Sequence, residues 1–398
     1  MARSRSTPAI PRTVWALGFV SLFMDVSSEA IHALLPLFLT VTLGASVAIV
    51  GLVDGIAEAT AAIAKVFSGY ISDRIERRKP LILLGYGLAA LSKPLFPLAG
   101  SAATVLAARF ADRVGKGLRG APRDALIADV TEPGARGRAF GLRQALDSTG
   151  AFVGPALAIG LMIAFENDMR RVFWIAIIPA AIAFLIIVFA VSDKPGRAEG
   201  HAAHPPITFS DFKRLPVRFW KIVALGGIFT LARFSEAFLI LKATQVGLPL
   251  MAAPLVLVAM NLVYSLGAYP AGALADSHSP RWLLQAGLVL LAAADLVLAF
   301  ASGVGIAFVG IALWGGHMAV TQGLLSKLVA DSSPAILAGS AFGFFNLVLG
   351  LAMLVASVLA GALWETMGPE ATFIAGGVFA VAAIGLAQLF LPPAAKTA

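Results

Sequence analysis

The chain has 398 residues, 59% of them hydrophobic and only 13% charged, with a mean hydropathy of +0.88. Soluble domains carry roughly 25% charged residues, so a water-soluble globular class is excluded. Cysteine is absent, which removes disulfides, thiol catalysis and cysteine-ligated metals, and the net charge of +8 is spread over alternate loops between apolar stretches, so no nucleic-acid partner is expected.

Twelve apolar stretches long enough to cross a bilayer, at about 20 residues each, fall near 13–40, 46–70, 80–99, 103–127, 139–164, 171–192, 219–245, 249–274, 281–301, 304–329, 338–364 and 370–391. The first carries Asp25, Glu29 and His32 and is followed by no small-residue cleavage pattern, so it reads as a retained span. The second carries Asp54, Glu58 and Lys65 and ends in Gly69-Tyr70-Ile71-Ser72-Asp73-Arg74. Span 4 holds Arg109, Asp112, Arg113, Lys116, Arg119 and Arg123, and span 5 holds Gly141, Gly150, Gly154 and Pro155.

Residues 193–218 form the longest polar stretch, rich in Pro, Gly and His, and read as a linker. Its His201 and His204 have no further ligands nearby and read as solvated; neither metal nor cofactor is expected. Beyond the linker, polar residues are sparse: Arg233 and Glu236 in span 7, Asn261 and Tyr264 in span 8, Asp295 alone in span 9, Trp314, His317 and Gln322 in span 10, and Asn346 in span 11. Asp295 receives no role.

Three short patterns recur in the same order, 202 to 207 residues apart. Ser28-Glu29-Ala30 returns as Ser235-Glu236-Ala237, the segment ending in Asp73 returns around Asp276, and Ala128-Asp129 with Gly137 to Gly141 returns as Ala330-Asp331 with Gly339 to Gly343. The chain is therefore a duplication. An all-α membrane protein is expected, with twelve transmembrane helices in two six-helix bundles related by pseudo-two-fold symmetry: 1–192, the linker 193–218 and 219–398. Arg3, Arg5, Arg12, Arg74, Arg77, Arg78, Lys79, Arg136, Arg138 and the linker cations mark the cytoplasmic loops and place both termini inside.

The run from Gly69 to Arg78 resembles the signature loop between helices 2 and 3 of the major facilitator superfamily, with Glu76 where that family usually has Gly. Arg113, Gly117, Gly120 and Ala121 are similar to its helix 4 motif of proton-linked members, with Lys116 in the usual Gln position. Gly141, Gly150, Gly154 and Pro155 are similar to the helix 5 motif of antiporters, whose closing Gly pair is Ala158-Ile159 here. The resemblance implies an inner-membrane secondary transporter, not an enzyme, closest in pattern to drug/proton antiporters. It also implies a cytoplasmic latch in which Asp73 holds the start of span 11 near Gly339 while Arg74 or Arg78 pairs with Asp129.

A charge inside hydrocarbon is expensive unless it faces a cavity or a partner. Asp25, Glu29, Asp54, Glu58, Arg113 and Lys116 are accordingly read as the proton-coupling set, with a basic group moving toward Glu29 or Asp54 to expel a proton. Permanent salt bridges within the first bundle are the competing reading. His32, Arg233, Glu236, Asn261, Tyr264, Trp314, His317, Gln322 and Asn346 are read as walls of a mostly apolar solute cavity, the aromatics alternatively as simple packing. Gly69, Asp73, Arg74, Arg78, Asp129, Gly150, Gly154 and Pro155 are read as gating residues. Proton-coupled efflux of a small organic compound by a monomer in the lipid bilayer is the leading function; import of a nutrient or siderophore, and a non-transporting sensor or scaffold, are the alternatives. No G-x-x-x-x-G-K-[ST] loop supports ATP-driven transport.

The latch reading makes Asp73→Asn a direct test. The variant is expected to increase cytoplasmic-side labelling of single cysteines introduced into the cysteine-free chain; equal labelling with normal transport would remove the latch.

Overall fold

The computed structural model describes residues 10–72, 77–193, 214–277, 279–321, 324–334 and 337–391. Among them every regular element is helical. The helices are α1 (Arg12–His32), α2 (Val47–Ser72), α3 (Lys79–Ser92), α4 (Ala102–Val130), α5 (Arg136–Ala164), α6 (Met169–Ala190), α7 (Val217–Ala232), α8 (Ala237–Gln245), α9 (Leu255–Ser277), α10 (Pro280–Ala299), α11 (Val304–Thr321), α12 (Leu324–Ser332), α13 (Ala338–Met367) and α14 (Pro369–Phe390). Short helical turns at Leu35–Leu37 and Leu95–Leu98 prolong α1 and α3.

Helices are what an apolar chain must form where water cannot reach the backbone, because each N–H and C=O is then satisfied within its own segment. Eleven helical stretches among the described residues are long and apolar enough to cross a membrane. The twelfth, α4, is equally long but carries the charged stripe from Arg109 to Asp129. Large apolar side chains face outward, with Tyr269, Phe189, Leu91 and Leu389 each more than three-quarters exposed. Such a surface is stable against lipid rather than water.

The described residues pack as two compact units. One contains α1, the part of α2 after Ala62, and α3 to α6; the other contains the chain from Ala33 to Ala62 together with α7 to α14. The division therefore differs from the halves of the duplication, since the first two-thirds of α2 belongs with the second unit. The reason is local. Gly51 and Gly55 of α2 lie against Ser357 and Leu354 of α13, and Gly350 and Gly361 of α13 lie against Ala59, Ala62 and Ala48. Small residues on both sides let the two backbones approach closely.

In the first unit α1 is the hub, packed against α5 and α6, and α6 in turn packs against α3. Its buried core runs through Leu17, Val20, Met24, Ile82, Tyr86, Leu126, Ile127, Ala183 and Ile187. In the second unit α10 packs against α11 and α14, α9 against α11, and α7 against α13 and α14. Asp168 caps α6, its Oδ1 accepting from Arg170 N at 3.0 Å and Arg171 N at 3.2 Å, which satisfies two otherwise orphaned donors.

The α1–α5 contact depends on missing side chains. A Cβ at Gly150 would lie 2.5 Å from the Leu22 carbonyl oxygen, and one at Gly154 would lie 2.8 Å from that of Val26 and 2.9 Å from Glu29 Cβ. Gly160, on the same helix, faces open space. Gly154→Leu is therefore expected to push α5 off α1 and destabilise the protein by about 1–3 kcal/mol, read as a lower melting temperature of purified protein. Gly160→Leu should melt like the parent, and equal melting of the two variants would refute the contact.

Candidate functional site

The charged residues of the first unit assemble from α1, α3, α4 and α5. Helical spacing puts Ser21, Asp25, Ser28 and His32 on one stripe of α1, with Glu29 beside it. His32 Nδ1 lies 3.5 Å from Glu29 Oε2, and both side chains are largely buried. The Asp25 carboxyl group lies within electrostatic reach of that of Asp147 on α5. Two neighbouring carboxylates repel when both are ionised, so such a pair is a place where a proton can be held. One turn before Asp147, Arg143 Nη1 stands 3.5 Å from its Oδ1.

A second cluster lies behind this face. Lys93, in the turn after α3, donates from Nζ to Asp112 Oδ1 at 2.9 Å and to Ser28 Oγ at 2.9 Å. Arg113 Nε is 3.9 Å from Asp112 Oδ2. Lys93, Arg109, Asp112, Arg113 and Arg119 are each at most 5% exposed, so these charges are compensated within the protein rather than by water. The Arg119 guanidinium sits 4.5 Å from the centre of the Tyr86 ring, a cation–π contact. Arg123 donates from Nη1 to Ser21 Oγ at 3.0 Å and to Tyr86 Oη at 3.4 Å. Lys116 is exposed, yet both it and Arg113 act electrostatically on Glu29.

At the end of α2, Arg78 binds three acceptors: Nε donates to Asp129 Oδ2 at 2.6 Å, and Nη1 donates to Ser72 O at 2.9 Å and Ser72 Oγ at 2.7 Å. Of the two arginines expected to meet Asp129, Arg78 does so. It thereby joins the C-terminal carbonyls of α2 to the end of α4. Gly69 is loosely packed, with only Ala121 Cβ within reach of an added side chain, at 3.9 Å. Asp73, Arg74, Gln322 and the linker histidines lie outside the described residues.

In the second unit the span containing α7 and α8 is interrupted between Ala232 and Ala237. The Ser235 hydroxyl donates to Asp54 Oδ2 at 2.7 Å and accepts from Ala237 N at 3.1 Å. Asp54 is thus buried against the helix break, while Glu58, one turn on, is partly buried. Arg233, at the break, acts electrostatically on Tyr264 and His317. The His317 ring is fully buried, with Nδ1–H donating to Gly287 O at 2.9 Å. Glu236, Asn261 and Asn346 are partly exposed. Trp314 is wholly buried, its ring 5.4 Å from that of Phe234 in an aromatic cluster with Phe238, Trp364 and Phe373.

Sequence reasoning passed over Lys93, Asp147 and Tyr86, and read Ser235 only as part of a repeat. A lone lysine within the apolar stretch 80–99 was a sufficient signal for Lys93. Asp147 stands one turn before Gly150 and one turn after Arg143, in a helix read only for its glycines.

A family model described as Major Facilitator Superfamily matches residues 17–263 and 237–398. An MFS-type transporter of Methanocaldococcus jannaschii is 32% identical over 391 residues, 96% of this chain and 95% of its own. The multidrug resistance protein MdtH of Photorhabdus laumondii is 29% identical over 156 residues, 39% of this chain and 38% of its own. Among solved structures, the nucleoside transporter NupG superposes with a TM-score of 0.80 at 13% identity, over 96% of this chain and all of that one, a likeness of fold. With its family matched from end to end, its all-helical duplicated architecture and its intramembrane charges, the chain belongs to the major facilitator superfamily.

Proposed function

We propose that the chain is a secondary active transporter that exports a drug-like compound or metabolite in exchange for protons, by alternating access. The observation that carries the reading is the acid cluster on α1 and α5, where Asp25 lies near Asp147 and Glu29 meets His32 beside the basic stripe of α4. Carboxyl groups that repel one another can take up and lose a proton, and movement of a neighbouring cation changes how readily they do so. Gly150 and Gly154 seat α5 directly on the backbone at Asp25 and Glu29, so a shift of α5 is transmitted to both acids. The named activity of the multidrug resistance relative supports export, and the positive-inside pattern supports an inner-membrane location with both termini cytoplasmic. The chain is assigned as a monomer.

One observation favours a second reading, import of an anion. The α3–α4 cluster gathers four buried cationic side chains, Lys93, Arg109, Arg113 and Arg119, a density of donors that would suit an anionic solute.

Two tests follow. In proteoliposomes with an imposed pH gradient and ethidium as a drug-like probe, Glu29→Gln and Asp54→Asn are each expected to lower gradient-driven export at least tenfold while leaving probe exchange at equal pH partly intact. Unchanged gradient-driven rates in both variants sink the coupling assignment, and gradient-driven uptake of an organic anion instead supports the second reading.

Arg113→Lys keeps the charge but loses the planar fork of donors. It is expected to move the pH profile of transport with little change in melting temperature. Lys93→Met supplies the contrast: it strands Asp112 in a buried site and should cost about 3–5 kcal/mol of stability. Stability loss without a pH shift in Arg113→Lys would place Arg113 with Lys93 as a structural charge.

A further inference from the structure

Asp295, on α10, is 0% exposed. Among the described residues neither of its carboxyl oxygens has a hydrogen-bond partner. Its Oδ2 stands where a side chain at Gly376 would be, 2.7 Å from the position of that missing Cβ, with Phe234 Cε1 at 2.9 Å from the same point. Gly376 and Phe234 also line a small cavity completed by Leu231, Ala360 and Thr372. The acid is therefore seated in a space that an absent side chain leaves free, among groups that cannot solvate it.

The duplication gives this position a counterpart. Positions 93 and 295 differ by 202, as do 112 and 314, the same offset that relates Asp129 to Asp331. In the first half the corresponding place holds Lys93, which is neutralised by Asp112 and also bonded to Ser28. In the second half the acid has taken the place of the lysine, and Trp314 has taken the place of its partner. Among the described residues the Trp314 indole N–H is itself buried without an acceptor. No basic side chain stands at the position that matches Lys93.

The charged groups on the surrounding elements give Asp295 no hydrogen bond. On α11 the titratable group is His317, held by Gly287 O about two turns from Asp295 along α10. On α8 it is the buried Lys242, whose Nζ donates to Ala299 O of α10 at 3.4 Å, one turn beyond Asp295, and lies 3.9 Å from Glu370 of α14, but which gives Asp295 no bond. On α12, Lys327 and Asp331 are exposed. Arg233 and Glu236 flank Phe234 in sequence but give Asp295 no bond, and Arg281, at the far end of α10, donates to Leu391 O. A metal ion would need several oxygen ligands, and among the described residues no group of three or more His, Asp or Glu side chains could hold one. A proton needs only the carboxyl group.

We propose that Asp295 is a proton-binding site of the second unit, holding one exchangeable proton while α10 and α14 are packed at Gly376 and giving it up to water when that contact opens. On release the O–H bond breaks, the electron pair stays on the carboxylate and the proton passes to a water molecule; uptake reverses the step. The assignment stands whether the transported solute moves outward or inward.

Infrared difference spectroscopy of the purified protein in lipid, across a pH series and after transfer to D2O, tests it. The parent is expected to show the carbonyl band of a protonated carboxylic acid that shifts in D2O; Asp295→Asn should lose that band, whereas Asp331→Asn, at an exposed acid, should keep it. Gly376→Ala, whose added methyl crowds Oδ2, should displace the band in frequency, so the idea remains testable if Asp295→Asn folds poorly. A band unchanged in both Asp295→Asn and Gly376→Ala would overturn the assignment. A band that is lost in Asp295→Asn but never shifts in D2O would mark a sealed structural proton and overturn the exchange.

Discussion

Hydrocarbon solvates neither charge nor backbone, and every arrangement in this chain answers to that constraint. Backbone groups are satisfied by unbroken helices wherever possible. Where the span containing α7 and α8 is interrupted, the Ser235 hydroxyl covers an N–H that would otherwise be bare. Where α2 ends, Arg78 collects a carbonyl and a hydroxyl of Ser72. Charges are treated in the same way: Lys93 is covered by Asp112, and Arg119 by the Tyr86 ring.

The two units meet the constraint differently. The first has many charges and joins them into a connected set, so that each ionised group sees a neighbour that would be affected by its loss. The second has few, and its Asp295 lies beside Phe234 of an aromatic cluster with Phe238, Trp314, Trp364 and Phe373. A connected set can pass a change at one member to the next. An isolated group responds mainly to whether its apolar enclosure is open or closed.

Spans, duplication and fold were legible because they rest on length, hydropathy and repeated short patterns, all of which survive in one dimension. The charged stripes of α1 and α4 were legible for the same reason, since i, i+4 spacing fixes a shared helical face. Partnership was not. Nothing in the spacing of Asp25 names Asp147, 122 positions later, and the proximity exists because Gly150 lets two helices touch. Lys93 was legible as a lone lysine in an apolar run, but nothing in the run names Asp112 as its partner. The allocation of the first part of α2 to the second unit was likewise invisible, because it follows from glycines on α13 whose facing helix no pattern identifies.

The repeated Ser-Glu-Ala triad shows what a hydroxyl makes possible. Ser28 accepts from the ammonium of Lys93, whereas Ser235 donates to the carboxylate of Asp54. Serine can do either without changing identity, because its O–H rotates to face an acceptor or turns a lone pair toward a donor. After the duplication the electrostatic surroundings of the two copies could invert while the letters stayed the same. Identity between repeats therefore records common descent of the backbone position and says nothing about the sign of the charge it serves.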